Sequence, residues 1–202
     1  MQRGRLLDRN GVVLAYDEVD EDGLTRRIYS YPELVHVTGF YSLRYGVSNI
    51  EAAYDDVLRG LSGRPALQAV VDGLLHRPQV GFDVMLTIDA AWQATADDAL
   101  GERRGVVLVL DPHTGAILAL VSHPAYDPNR LDETWETLRD APDTPLLNRA
   151  TQGLYPPGSA FKTVTLAAAL ESGLTSPEEI FTDATGTLQA VSYTHLRAHE
   201  TR

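Results

Sequence analysis

Ser159 and Lys162 stand three residues apart, and Lys162 is the only lysine among seventeen basic residues. The other sixteen are arginine, which stays protonated at any cellular pH and cannot act as a base. A lysine that is desolvated or set near positive charge can give up its proton. Spaced i and i+3 on a helix, the two side chains share one face within a turn. A neutral amine beside a hydroxyl is a base beside a nucleophile: Lys162 would take the Ser159 proton as the oxygen attacks a carbonyl, leaving an acyl-enzyme. The Ser159 backbone N–H, at a helix start, would donate to the developing oxyanion. The plain alternative makes Ser159 a helix N-cap and Lys162 an ordinary first-turn residue. A first-turn lysine, however, opposes the helix dipole by roughly 0.3–1 kcal/mol.

The elements that must hold this pair follow from the flanking residues. Tyr155-Pro156-Pro157-Gly158 fixes the approach and allows a sharp turn. A helix is predicted from Ser159 to about Ser172, stopped by Gly173, and its run Val164 to Leu170 is apolar nearly all round, as in a buried central helix. Upstream, residues 3–15 read as a β-hairpin turned at Asn10-Gly11, followed by an acidic loop from Asp17 to Asp22. Ser48 and Glu51 have capping-box spacing for a helix to about Leu58, stopped at Gly60, with Gly63 and Pro65 marking a break. A second unit begins near Gly81. It has a strand over 84–88, a helix capped by Asp89 through Leu100, and two apolar strands, 106–110 and 116–121, predicted to be buried on both faces. Residues 123–158 hold six prolines and read as a long irregular segment.

Composition narrows the function classes. The chain has 202 residues, 44% of them hydrophobic, enough for one domain or one domain with a smaller part. A net charge of −11 argues against a nucleic-acid partner. Without cysteine there are no disulfides or thiolate metal sites, and no metal or cofactor is expected. His195 and His199 have i, i+4 spacing but no third ligand nearby. They fall in 191–202, a stretch like translated adaptor sequence, which is set aside as a non-native tail. No stretch approaches the ~20 apolar residues of a membrane span, and no signal peptide is visible.

Ser159-x-x-Lys162, framed by Gly153 to Gly158, resembles the first active-site motif of penicillin-binding proteins. Arg3 to Gly11 with Leu14-Ala15 resembles the start of class B members, and Asp83 to Asp89 the entry to their transpeptidase domain. The 111–115 hairpin, Ser122-His123-Pro124, Tyr126 to Asn129 and Pro145 to Ala150 continue the resemblance. The short stretch before residue 81, with Val37 to Ser42 and Tyr45-Gly46, resembles the compact pedestal type.

The resemblance implies an α+β fold of the penicillin-binding-protein and serine β-lactamase kind, an antiparallel sheet with helices, preceded by a pedestal. It sets a pedestal or dimerisation-like segment at 1–80, the first part of a transpeptidase domain at 81–190 and the tail at 191–202. It implies peptidoglycan cross-linking by acyl transfer from D-alanyl-D-alanine stem peptides through Ser159 and Lys162, and acylation by β-lactams. It also implies a membrane glycosyltransferase partner and a place on the outer face of the cell membrane, held by an N-terminal helix outside this chain. The family's Ser-x-Asn and Lys-Thr-Gly motifs are absent: no asparagine has a serine two positions earlier, and Lys162 is followed by Thr163-Val164. The chain is therefore expected to be a piece cut at both ends, and inactive as it stands. A serine β-lactamase, a D,D-carboxypeptidase or a non-catalytic β-lactam-binding scaffold are the alternatives, the first two disfavoured by residues 3–80.

Overall fold

The computed structural model describes residues 2–20, 23–62 and 80–180. Gly63, Pro65 and the 191–202 tail lie outside them. The chain forms two compact units, Met1–Leu154 and Tyr155–Arg202.

In the first unit the opening hairpin forms where the sequence predicts it. The Asp8 carboxylate accepts from the N–H groups of Asn10 and Val12 at 2.7 and 2.8 Å, and Gly11 takes φ +84°. This turn joins β1 (Leu6–Leu7) to β2 (Val13–Val19) in antiparallel register. Asp17 is not in a loop: β2 runs through it and pairs with β3 (Thr25–Tyr29). The acidic residues do not break the strand because Asp17 points inward and meets a buried arginine. Two-residue strands β4 (Tyr41–Ser42) and β5 (Gly46–Val47) make a separate hairpin.

β6 (Val84–Met85) lies parallel to β1, giving the order β3-β2-β1-β6. Only these two residues of the predicted 84–88 strand belong to the sheet. The chain then leaves it, with Thr87 Oγ1 donating to Ile117 O and Asp89 N to Leu118 O. The crossing is tight at Gly81, where a Cβ would stand 1.7 Å from the Leu58 carbonyl oxygen.

Leu6, Leu14, Ala15, Leu34, Leu58 and Ile88 form the core under this sheet. Beside it lies an ionic cluster. Buried Glu51 accepts from Arg3 and Arg27, each at 2.7 Å, while Arg27 also reaches Asp17 and Arg3 reaches Asp55. This corrects the capping-box reading. The Glu51 carboxylate is spent on two buried guanidinium groups, and Ser48 Oγ accepts from Phe40 N rather than capping its own helix. That helix is also interrupted: α2 (Asn49–Ala53) and α3 (Asp55–Leu58) are separated at Tyr54, after the short α1 (Val35–Thr38).

α4 (Ala90–Leu100) is capped by Asp89, whose carboxylate accepts from Ala91 and Trp92 N–H. It packs on the antiparallel pair β7 (Gly105–Leu110) and β8 (Ile117–His123). Buried Gln93 docks the helix by exchanging two hydrogen bonds with the backbone of Leu120, at 2.9 and 2.8 Å. The pair is not buried on both faces. Ala119 and Val121 face α4 with Val107 and Val109, whereas Leu108 and Leu110 are about half exposed.

Residues 123–158 are not wholly irregular either. Asp127 caps a 3-10 turn, Pro128–Arg130, that feeds α5 (Leu131–Asp140). Beyond it, buried Arg149 gathers the 143–147 loop by donating to the carbonyls of Asp143, Thr144 and Leu147. Asn148 ties the same stretch to α1 through the His36 carbonyl.

Candidate active site

Both predicted site residues lie in the second unit. Gly158 takes φ +54°, a left-handed conformation that glycine adopts without strain. It opens a 3-10 turn, Gly158–Ala160, that continues into α6 (Phe161–Glu171). Ser159 thus sits in the tighter turn ahead of the α-helix, and Lys162 is the second residue of the helix proper. The predicted helix is present, but its first turn closes with i to i+3 bonds, such as Ala160 N to Pro157 O at 3.2 Å.

Ser159 does not cap the helix: neither the 3-10 turn nor α6 carries a side-chain capping bond at its start. That removes the plain alternative for the serine. Both residues are exposed, and among the described residues neither the Ser159 hydroxyl nor the Lys162 amine has a hydrogen-bond or ion-pair partner. They are not bonded to each other. The hydroxyls that do bond in this helix belong to Thr163, Thr165 and Ser172, each donating to a carbonyl one turn back. The helix ends as predicted, with Gly173 at φ +69° and Leu174 N donating to Ala169 O. Within its own unit, the apolar side chains of Phe161, Val164 and Leu166 are each 56% exposed. The burial inferred from their sequence is not provided by the described residues of that unit.

The arrangement presents a hydroxyl and an amine on adjacent turns at the positive end of an eleven-residue helix. It can hold a nucleophile, a proton acceptor and backbone N–H groups facing one reacting carbonyl. Among the described residues no group of acidic, histidine or cysteine side chains is placed to hold a metal ion. No helix among them is long and apolar enough to cross a membrane.

Comparison with known proteins bears on the whole length. Residues 3–84 match the penicillin binding protein A dimerisation domain, and residues 105–202 the penicillin binding protein transpeptidase domain. The chain is 43% identical to the peptidoglycan D,D-transpeptidase PbpA of Mycolicibacterium smegmatis over 93% of its own residues. It is 42% identical to PbpA of Mycobacterium tuberculosis over 89%. It spans 43% and 39% of the length of those two relatives. Among solved structures it is similar to M. tuberculosis penicillin-binding protein A, determined as an imipenem acyl-enzyme complex. The TM-score is 0.76 at 40% identity, covering 88% of this chain and 44% of that one. The D,D-transpeptidase domain from Eggerthella lenta follows with a TM-score of 0.72 at 39% identity, over 89% and 39%. The α+β architecture is theirs, and from Arg3 onward the order of matched segments is the same as the order of motifs along the sequence: the chain belongs to the class B penicillin-binding proteins, the peptidoglycan D,D-transpeptidase family.

Proposed function

We propose that the protein of which this chain is part cross-links peptidoglycan by serine acyl transfer, with Ser159 as nucleophile and Lys162 as its base. Ser159 Oγ attacks the carbonyl between the two D-alanines of a stem peptide as Lys162 accepts its proton. The tetrahedral intermediate collapses with return of a proton to the departing D-alanine. An amine of a neighbouring strand then takes the acyl group and frees the serine. β-Lactams acylate the same oxygen. The observation that carries the reading is the uncapped, exposed Ser159 hydroxyl one turn from the sole lysine, at a helix start. The similarity to proteins solved as acyl-enzymes with imipenem and penicillin G supports it. Residues 3–84, which match a dimerisation domain, favour a transpeptidase over a β-lactamase or carboxypeptidase.

Around this centre the reading sets 1–80 as a pedestal and 81–190 as the first part of the catalytic domain. It places the protein on the outer face of the membrane, beside a glycosyltransferase that makes the strands. The chain as given lacks Ser-x-Asn and Lys-Thr-Gly and is inactive on its own. A fluorescent penicillin tests the assignment on the full-length protein: wild type is labelled and Ser159→Ala is not. Equal labelling of the two removes Ser159 as nucleophile.

A further inference from the structure

We propose that a cavity in the first unit binds a small neutral molecule, an apolar ring carrying one N–H donor, with ring nitrogen Nδ1 of His36 as its acceptor. The cavity holds about 430 Å³, within the usual range of small-molecule sites. α1 and α2 supply His36, Val37 and Ile50, the stretch after β6 supplies Ile88, and β8 supplies Leu120. Asn148 completes the floor from the loop beyond α5. His36, Ile88, Leu120 and Asn148 are buried, whereas Met85 and Ile117 stand exposed at the mouth.

The tautomer of His36 follows from its neighbour. Nε2 lies 3.2 Å from the Pro124 carbonyl oxygen, which can only accept, so Nε2 carries the hydrogen. Burial is the largest influence on the ring and holds its pKa below the ordinary 6.5, so it is neutral at pH 7. Nδ1 is then a bare lone pair, and it has no partner among the described residues. Three buried side-chain nitrogens are sealed from solvent without a partner: Arg3 Nε, Arg27 Nη2 and Arg149 Nε. His36 Nδ1 is not one of them. It is unpartnered yet reachable, and His36, only 4% exposed, is reached through the cavity it lines. The other buried polar group, the Asn148 amide, is engaged at both ends: Nδ2 donates to His36 O and Oδ1 accepts from Ala150 N.

This lining selects its ligand. It contains no Asp, Glu, Arg or Lys, so an ammonium or carboxylate would shed its water with no counter-charge to meet it. Apolar walls favour a ring, and one free acceptor on the floor calls for one neutral N–H. An indole-type bicycle has that chemistry. Its position in the fold gives occupancy an effect. His36, Val37 and Ile50 fall within residues 3–84, and Leu120 and Asn148 within residues 105–202, the two segments that match different domains. A bound ring would touch both and brace one against the other.

The test titrates the full-length protein with indole and with benzofuran, the same bicycle with oxygen in place of N–H, and follows methyl resonances by NMR. Val37, Ile88 and Leu120 are expected to shift with indole while Val19 does not, and benzofuran is expected to bind at least tenfold more weakly. His36→Phe keeps a ring but removes the acceptor, and should bring the two compounds to equal affinity. Ile117→Trp, at an exposed position, should block the mouth and abolish the shifts without lowering the thermal midpoint; it carries the test should His36→Phe fail to fold. Equal affinity of the wild type for indole and benzofuran overturns the proposal, as do indole shifts that survive Ile117→Trp. Tighter binding of N-acetyltryptophanamide than of indole also overturns it, since the cavity would then belong to a tryptophan side chain of a partner protein.

Discussion

At the scale of single residues, the molecule separates charges that hold it together from groups left free to react. Glu51 serves two buried arginines at once, so Glu51→Gln breaks a buried ion pair to each and leaves Arg3 only Asp55 and Arg27 only Asp17. Breaking a buried pair this way costs about 3–5 kcal/mol, which urea unfolding of the variant will measure. Asp8 shows the same economy with backbone donors. Burial alone pushes its carboxyl up, but the N–H groups of Val12, Ala90 and Asn10 together hold it below its ordinary 3.8. Asp55 is also desolvated, and the arginines at positions 3 and 59 bring it down likewise. A carboxyl lowered by folding stabilises the fold above that ordinary value and ceases to as pH falls through the depressed one. Asp8→Asn should therefore narrow the gap between urea midpoints measured at pH 6 and pH 3. Lys162 belongs to the other class. In the full-length protein Lys162→Arg should lose penicillin labelling nearly as fully as Lys162→Ala, because a guanidinium cannot accept the serine proton. An arginine variant that still acylates would refute the base role.

At the scale of elements, legibility in the sequence followed how local the forces are. The Asn10-Gly11 turn, the Asp89 cap and the Gly173 stop were readable because each is decided within four residues. Glu51 has capping-box spacing in the sequence, yet its partners are 24 and 48 residues away. Asp17 reads as loop in the sequence for the same reason, since a buried carboxylate is favourable in a strand only when Arg27 lies opposite. α5 is masked in the sequence by six surrounding prolines, although Asp127-Pro128 and the spacing of Leu131, Trp135 and Leu138 give a cap and an apolar stripe. At the candidate site, the pairing of Ser159 with Lys162 was visible in residue types; the 3-10 geometry of its first turn was not, since it depends on how Gly158 bends the backbone. One element-level prediction tests the sheet crossing. Gly81→Ala would force a methyl group into the Leu58 carbonyl. Overpacking of this sort costs about 1–3 kcal/mol or more, and the loss should appear as a lowered thermal midpoint.

At the scale of the whole molecule, two compact units divide the work. The first carries both the ionic cluster and the sheet, and the second carries the serine and lysine. The exposed apolar residues of α6 in the second unit, with Leu174 at 80%, make a surface of the kind that proteins ordinarily cover. The isolated chain should bind a hydrophobic dye and should not turn over a stem-peptide ester; measurable turnover would contradict its proposed inactivity. The position of β1 has one more consequence. Residues 6 and 7 are hemmed in by β2 on one side and β6 on the other, antiparallel to the first and parallel to the second. A pull on the amino terminus along that strand would strain both ladders in shear, with their hydrogen bonds yielding together rather than peeling one by one. Tugged from the β2–β3 tip instead, the same sheet would unzip. In an optical trap, a handle at residue 2 should therefore require a larger rupture force than one at Val19.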